Sequence, residues 1–173
     1  MNQTRRRQEV FKRLFMVQFY PDGGYDDVER ASDELETLLP EADVHPYIEP
    51  ELGNGVKEAD LKAINDKVNA IRQHLTEIDD LINANVTGWK TTRMAKVDVT
   101  ILRLSTYELK YEPTVPMKVS VNEAVNLAKT YGTEKSGSFV NGVLRHIASV
   151  VRPEEEKKSD DTAARGEEKT TDE

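Results

Sequence analysis

Residues 92–111, TRMAKVDVTILRLSTYELKY, decide the fold. Met94, Val97, Ile101 and Leu104 recur at helical spacing along one side, and Val99, Leu102 and Leu109 along another. A helix apolar over much of its circumference belongs at the centre of a bundle. Pro113 and Pro116 end it.

The flanks are helical as well. On the C-terminal side, Ser120 and Glu123 form a capping box, with Val119 before the cap as a staple to Ala124. That helix is expected to stop at Gly132. A last helix, about 135–151, carries Val140, Val143, Leu144, Ile147 and Val151, and Gly137 and Gly142 would let it pack closely. On the N-terminal side, Leu61, Ile64, Val68, Ile71, Leu75, Ile78, Ile82 and Val86 keep a three-to-four spacing. Thr76 with Asp79 resembles an acidic capping box, so two helices joined near His74 are expected. Gly88 closes the second, and Trp89 reads as an inter-helix anchor.

Earlier in the chain, Val10, Phe11, Leu14, Phe15 and Val17 place a helix at 4–20, and Val28, Ala31, Leu35, Leu38 and Leu39 place another at 25–39. Residues 40–57 hold three prolines and two glycines and read as a long loop. No segment alternates with period two between hairpin turns, so strands are not expected. The fold class is all-α. The domain is expected to span 1–152. Residues 153–173 are expected to form a disordered acidic tail, because they carry no large apolar side chain.

The chain has 173 residues and a net charge of -8, which argues against a polyanionic partner. The distribution says more. Residues 154–173 hold nine acids and four bases, whereas residues 1–20 hold five bases (Arg5, Arg6, Arg7, Lys12, Arg13) and one acid, Glu9. Arginine offers a planar fork that matches phosphate. Phe11 and Phe15 lie on the same helix and could stack on bases. The alternative is a solvated helix start with both phenylalanines in the core. Lys118, Lys129 and Lys135, with Phe139 nearby, make a second basic set that reads equally as ordinary surface.

Chemistry of other kinds is not signalled. There is no cysteine, and the three histidines have no partner at metal-ligand spacing. No phosphate-binding glycine loop or nucleophile elbow is present. No catalytic residue, metal or cofactor is expected. No apolar run approaches the roughly 18 residues of a membrane span, and the N-terminus lacks a signal-peptide core, so a cytoplasmic protein is expected.

Val97-Asp98, Ile101-Leu102-Arg103-Leu104 and Tyr107-Glu108-Leu109 lead to Val115-Pro116. Then follow Val119-Ser120-Val121-Asn122-Glu123-Ala124-Val125, Leu127-Ala128-Lys129, Tyr131-Gly132, Glu134-Lys135-Ser136 and Phe139-Val140-Asn141-Gly142-Val143-Leu144. In order and spacing this resembles the NusB family of bacterial transcription antitermination factors. The Arg-rich start, His74, Ile78-Asp79 and Gly88-Trp89 extend the resemblance over most of residues 4–151. It departs at Ala70-Ile71, at the longer 40–57 loop and in the added tail.

The resemblance implies about seven helices in two small subdomains. It implies binding of boxA-type leader RNA together with the ribosomal protein NusE, in support of ribosomal RNA transcription. Other Nus factors and RNA polymerase would complete a larger complex. The implied RNA contacts are Arg5, Arg6, Arg7, Lys118 and Phe139, with Lys135 as a neighbour; the implied NusE contacts are Phe15 and Asp98. The alternative is a protein-interaction scaffold of the transcription machinery that does not touch RNA. A NusB-like module also opens certain ribosomal RNA methyltransferases, but no nucleotide-binding α/β domain is expected within these 173 residues. Arg103 reads as a structural ion-pair residue. Asn122 and Asn141 read as partners for backbone groups between helices.

Overall fold

The computed structural model describes residues 1–18, 57–155 and 157–158. Among them are six α-helices and no strand. The expected helix at 25–39 and nearly all of the 40–57 loop lie outside the described residues. The chain divides into two compact units, Met1–Gln73 and His74–Glu173.

In the first unit α1 (Gln3–Val17) packs against α2 (Glu58–Gln73). The side chain of Asn2 accepts from the Arg5 backbone N–H at 2.8 Å and so caps α1. Glu58 and Asp60 in the first turn of α2, and Arg72 in its last, complement the helix dipole. Val10, Phe11 and Leu14 of α1 and Ile64, Val68 and Ile71 of α2 are buried, as the three-to-four spacing predicts.

In the second unit α3 (Leu75–Ala84) follows a one-residue break at His74. Then come α4 (Lys96–Tyr111), α5 (Met117–Tyr131) and α6 (Ser136–Val151). α4 packs against α3, α5 and α6. Its buried residues run round the helix from Val99 to Leu109, so the expected central helix is in place, although it begins at Lys96 and leaves residues 92–94, Met94 among them, in the preceding turn. The Arg103 guanidinium donates twice to the Asp79 carboxylate, each at 2.8 Å, and ties α4 to α3. That is the structural ion pair expected of Arg103. The expected Thr76–Asp79 capping box does not form: α3 starts at Leu75, its N-cap is His74, and no side chain caps it.

The start of α5 corrects another expectation. The helix begins at Met117 with Pro116 at its N-cap, not at Ser120. With Pro116 as its N-cap, the helix starts four residues earlier than a Ser120 cap would place it. Ser120 is then fully buried, and its hydroxyl donates to the buried carboxylate of Glu108 at 2.8 Å. Val119 is exposed and staples nothing.

Gly132 ends α5 as expected, but in extended backbone. What requires glycine there is crowding: a Cβ would lie 2.5 Å from Ser136 Oγ and 2.7 Å from the Ala128 carbonyl. Gly137 and Gly142 do not serve close packing; a Cβ at Gly142 would meet nothing within 4 Å and one at Gly137 only ordinary contacts. Trp89 is 60% exposed and is no anchor. Asn83 holds its loop instead, bonding the Thr91 hydroxyl at 3.2 Å and the Thr91 N–H at 2.8 Å, while Gly88 turns the chain at φ 95°.

Arg152 closes the unit. Its guanidinium donates to the carbonyls of Glu108, Leu109, Glu112 and Val115 at 2.6–2.9 Å, satisfying the C-terminal end of α4 and the turn beyond it. Residues 153–155 are helical, and Glu155 accepts the Met117 N–H at 3.0 Å. Ordered contacts therefore continue past the boundary expected at Pro153.

Candidate nucleic-acid interface

Each unit carries part of the expected basic surface. In the first, α1 places Arg5, Arg6 and Arg7 in its opening turns. Arg6 bonds the carboxylate of Asp60 on α2, which also accepts from the Met1 ammonium at 3.2 Å. These two cations hold the Asp60 carboxyl below the usual aspartate range, Arg6 foremost. Arg7 is buried and Arg5 half-buried. Further along, Lys12 and Arg13 reach the two oxygens of the buried Glu9 at 3.3 and 3.4 Å. The positive charge of α1 is thus locally offset by Asp60 and Glu9. Asp60 lies 54 residues from Arg6, beyond any local reading of the sequence.

The rings on α1 divide in use. Phe11 is buried, while Phe15 is half-buried and stacks on it with centroids 6.2 Å apart. Phe11 is therefore core, and Phe15 alone of the two keeps exposed ring surface.

In the second unit Lys118 is the second residue of α5 and is exposed. Lys135 is the N-cap of α6 and exposed; Phe139, one turn on, is half-buried. The structure brings Lys135 and Phe139 onto one helical turn, with the Phe139 N–H bonding the Lys135 carbonyl at 3.1 Å. It keeps Lys118 apart from them: Lys118 and Lys129 mark the two ends of α5, about 17 Å apart at the usual helical rise. Such a separation suits an extended polyanion better than a single phosphate. Asp98, in the first turn of α4, is half-buried and has its Oδ1 buried without a hydrogen bond. A buried carboxylate oxygen lacking a donor is unusual, and a docking partner could supply one.

An open cleft of about 570 Å³ lies between α5 and α6, lined by Asn122, Lys129, Gly132, Glu134 and Asn141 among others. Asn122 and Asn141 face this cleft and do not bond backbone groups between the helices, as had been expected of them. A further cluster joins α3 to the end of α4. The His74 ring stacks on Tyr111 with centroids 4.3 Å apart, and the Tyr111 hydroxyl and Lys110, at 3.2 Å, both donate to Glu77. Those donors keep the Glu77 carboxyl low, with Tyr111 first. Among the described residues no group of three or more histidine, cysteine or acidic side chains could hold a metal, and no helix is long and apolar enough to cross a membrane.

Comparison with known proteins places this geometry. The NusB family model matches residues 4–149. The transcription antitermination protein NusB of Agathobacter rectalis is 44% identical over 148 residues, covering 86% of this chain and 100% of that protein. Its counterpart in Clostridium botulinum is 38% identical over 146 residues, covering 83% of this chain and 97% of its own. The solved structure of T. maritima NusB superposes with a TM-score of 0.71 at 34% identity, covering 91% of this chain and 98% of that one. A NusB chain solved with NusE and double-stranded RNA shares the fold, with a TM-score of 0.58 at 22% identity over 87% of this chain and 99% of that one. The all-α architecture is therefore that of NusB, and the chain belongs to the NusB family.

Proposed function

We propose that the protein is an RNA-binding transcription antitermination factor that takes boxA-type leader RNA together with the ribosomal protein NusE. The observation that carries this reading is family membership across nearly the whole chain. The exposed cations and half-buried ring on α5 and α6 support it, since they suit a strand held by phosphate contacts and stacking. Arg5, Arg6 and Arg7 on the first unit, and Lys118, Lys135 and Phe139 on the second, are the proposed RNA contacts. Phe15, with its partly exposed ring, and Asp98, with its unbonded buried oxygen, are the proposed NusE contacts. Other Nus factors and RNA polymerase would join the same assembly in the cytoplasm. No chemical step is assigned to the protein.

The reading is tested by gel shift of a boxA RNA, with and without NusE, across a salt series. Phosphate contacts make affinity fall steeply with salt. Failure to shift the RNA under any condition with NusE present would overturn the proposal.

A specific observation favours a second reading, a scaffold without RNA contact. Arg6 and the Lys12–Arg13 pair already hold acidic partners inside the protein. Under that reading NusE binds and the RNA adds nothing.

A further inference from the structure

The cleft between α5 and α6 carries chemistry that phosphate binding does not use. Asn122 stands on α5 and Asn141 on α6, and both line the same space of about 570 Å³. Asn122 is exposed and Asn141 half-buried. Neither amide has a hydrogen-bond partner among the described residues. Each offers one acceptor and two donors. A carboxamide matches the paired donor and acceptor on the edge of a base, so two of them lining one cleft suit a base edge.

The surroundings narrow the ligand. Lys129 near the end of α5 and Glu134 in the turn after it both line the cleft, so it carries a cation and a carboxylate. A bare polyphosphate would meet that carboxylate. A neutral, flat, hydrogen-bonding group with one phosphate beside Lys129 would not. Ligand pockets run from about 300 to 1,000 Å³, so this cleft has room for one nucleoside. It also adjoins the turn that carries Lys135, whose helix presents Phe139 one turn on. Single-stranded RNA is commonly read by splaying out a base and bonding its edge.

We propose that Asn122 and Asn141 form a base-reading cleft that takes one unstacked nucleotide of the bound RNA, adenine offering the best-matched edge. This rests on the RNA-binding reading above and adds sequence discrimination to it.

The test uses the full chain with NusE present and a set of single-stranded boxA RNAs, each with one base replaced or removed. Affinities are measured for the wild type, Asn122→Ala, Asn141→Ala and the double variant. Wild type should lose roughly tenfold at one position, the size of a lost bidentate amide contact. In the double variant that position should become indifferent, with the salt dependence unchanged because no phosphate contact is removed. Asn122 is solvent-exposed, so Asn122→Ala keeps the test valid if Asn141→Ala unfolds. If the variants keep the wild-type pattern of base preferences, or lose affinity equally for every RNA, the base-reading cleft is wrong. If wild type binds none of the RNAs, the underlying RNA reading fails and the cleft with it.

Discussion

The Arg6 guanidinium is bonded to the Asp60 carboxylate, so an arginine proposed to hold RNA is already held by the protein's own α2. This sets stability and binding against each other. In Asp60→Asn, Arg6 loses its charged partner and becomes more available to phosphate. RNA affinity should rise severalfold, and the slope of log affinity against log salt should steepen by up to about 0.7, the single-strand value for one added contact. The melting temperature should fall. Fluorescence anisotropy across a salt series checks the first effect and thermal unfolding the second. Weaker binding by the variant would show instead that Asp60 orients Arg6 for the RNA.

The same carboxylate makes the first unit sensitive to acid. Arg6 and the Met1 ammonium lower the pKa of Asp60 in the folded state. Its contribution is therefore complete above the unfolded value of about 3.9, and is lost as pH falls through the lower folded value. Stability measured from pH 6 downward should decline through that acidic window. Asp60→Asn should show less of the decline.

Arg152 ties the end of α4 and the turn beyond it to the end of α6. Its side chain is 8% exposed and serves four carbonyls. Arg152→Ala should cost about 3 kcal/mol, since it leaves several carbonyls at the end of α4 without a donor. Chemical denaturation checks this, and a loss below about 0.5 kcal/mol would contradict it.

Trp89 should be nearly dispensable for folding. It is 60% exposed, and Asn83 holds its loop without it. Trp89→Ala should change stability by no more than about 0.5 kcal/mol. A buried anchor would cost about 3–5 kcal/mol.

Gly132 should not tolerate a methyl group. In Gly132→Ala the new Cβ would fall 2.5 Å from the Ser136 hydroxyl, which accepts the Thr133 N–H at 3.0 Å. Relieving the clash should break that bond at a cost of about 1–3 kcal/mol. The measurement is a paired urea titration of variant and wild type.

Local pattern carried the fold well. The all-round apolar spacing of α4 and the break at His74 both stood in the sequence, because helical period and burial are local consequences of side-chain order. The Ser120–Glu123 box misled because its pattern is the same whether serine caps a helix or lies inside its first turn. Only Pro116, four residues earlier, and Glu155, 38 residues beyond Met117, decide which holds. Trp89 misled because ring size argues for burial while its loop is fastened by an asparagine. For the site, charge order marked the arginines of α1 and the lysines of α5 and α6. The Glu9 pairs with Lys12 and Arg13 lie at three- and four-residue spacing on one helix and were legible; the Arg6–Asp60 pair was not, since ion pairing across helices depends on packing that a separation of 54 residues hides.

The most direct measurement compares the salt dependence of boxA RNA binding, in the presence of NusE, for wild type, Arg5→Ala and Lys118→Ala. If cations on both units hold the strand, wild type binds, and each variant lowers the slope of log affinity against log salt by about 0.7 while melting as wild type does. If wild type shows no affinity, or both variants keep the wild-type slope, the RNA is not held by these residues.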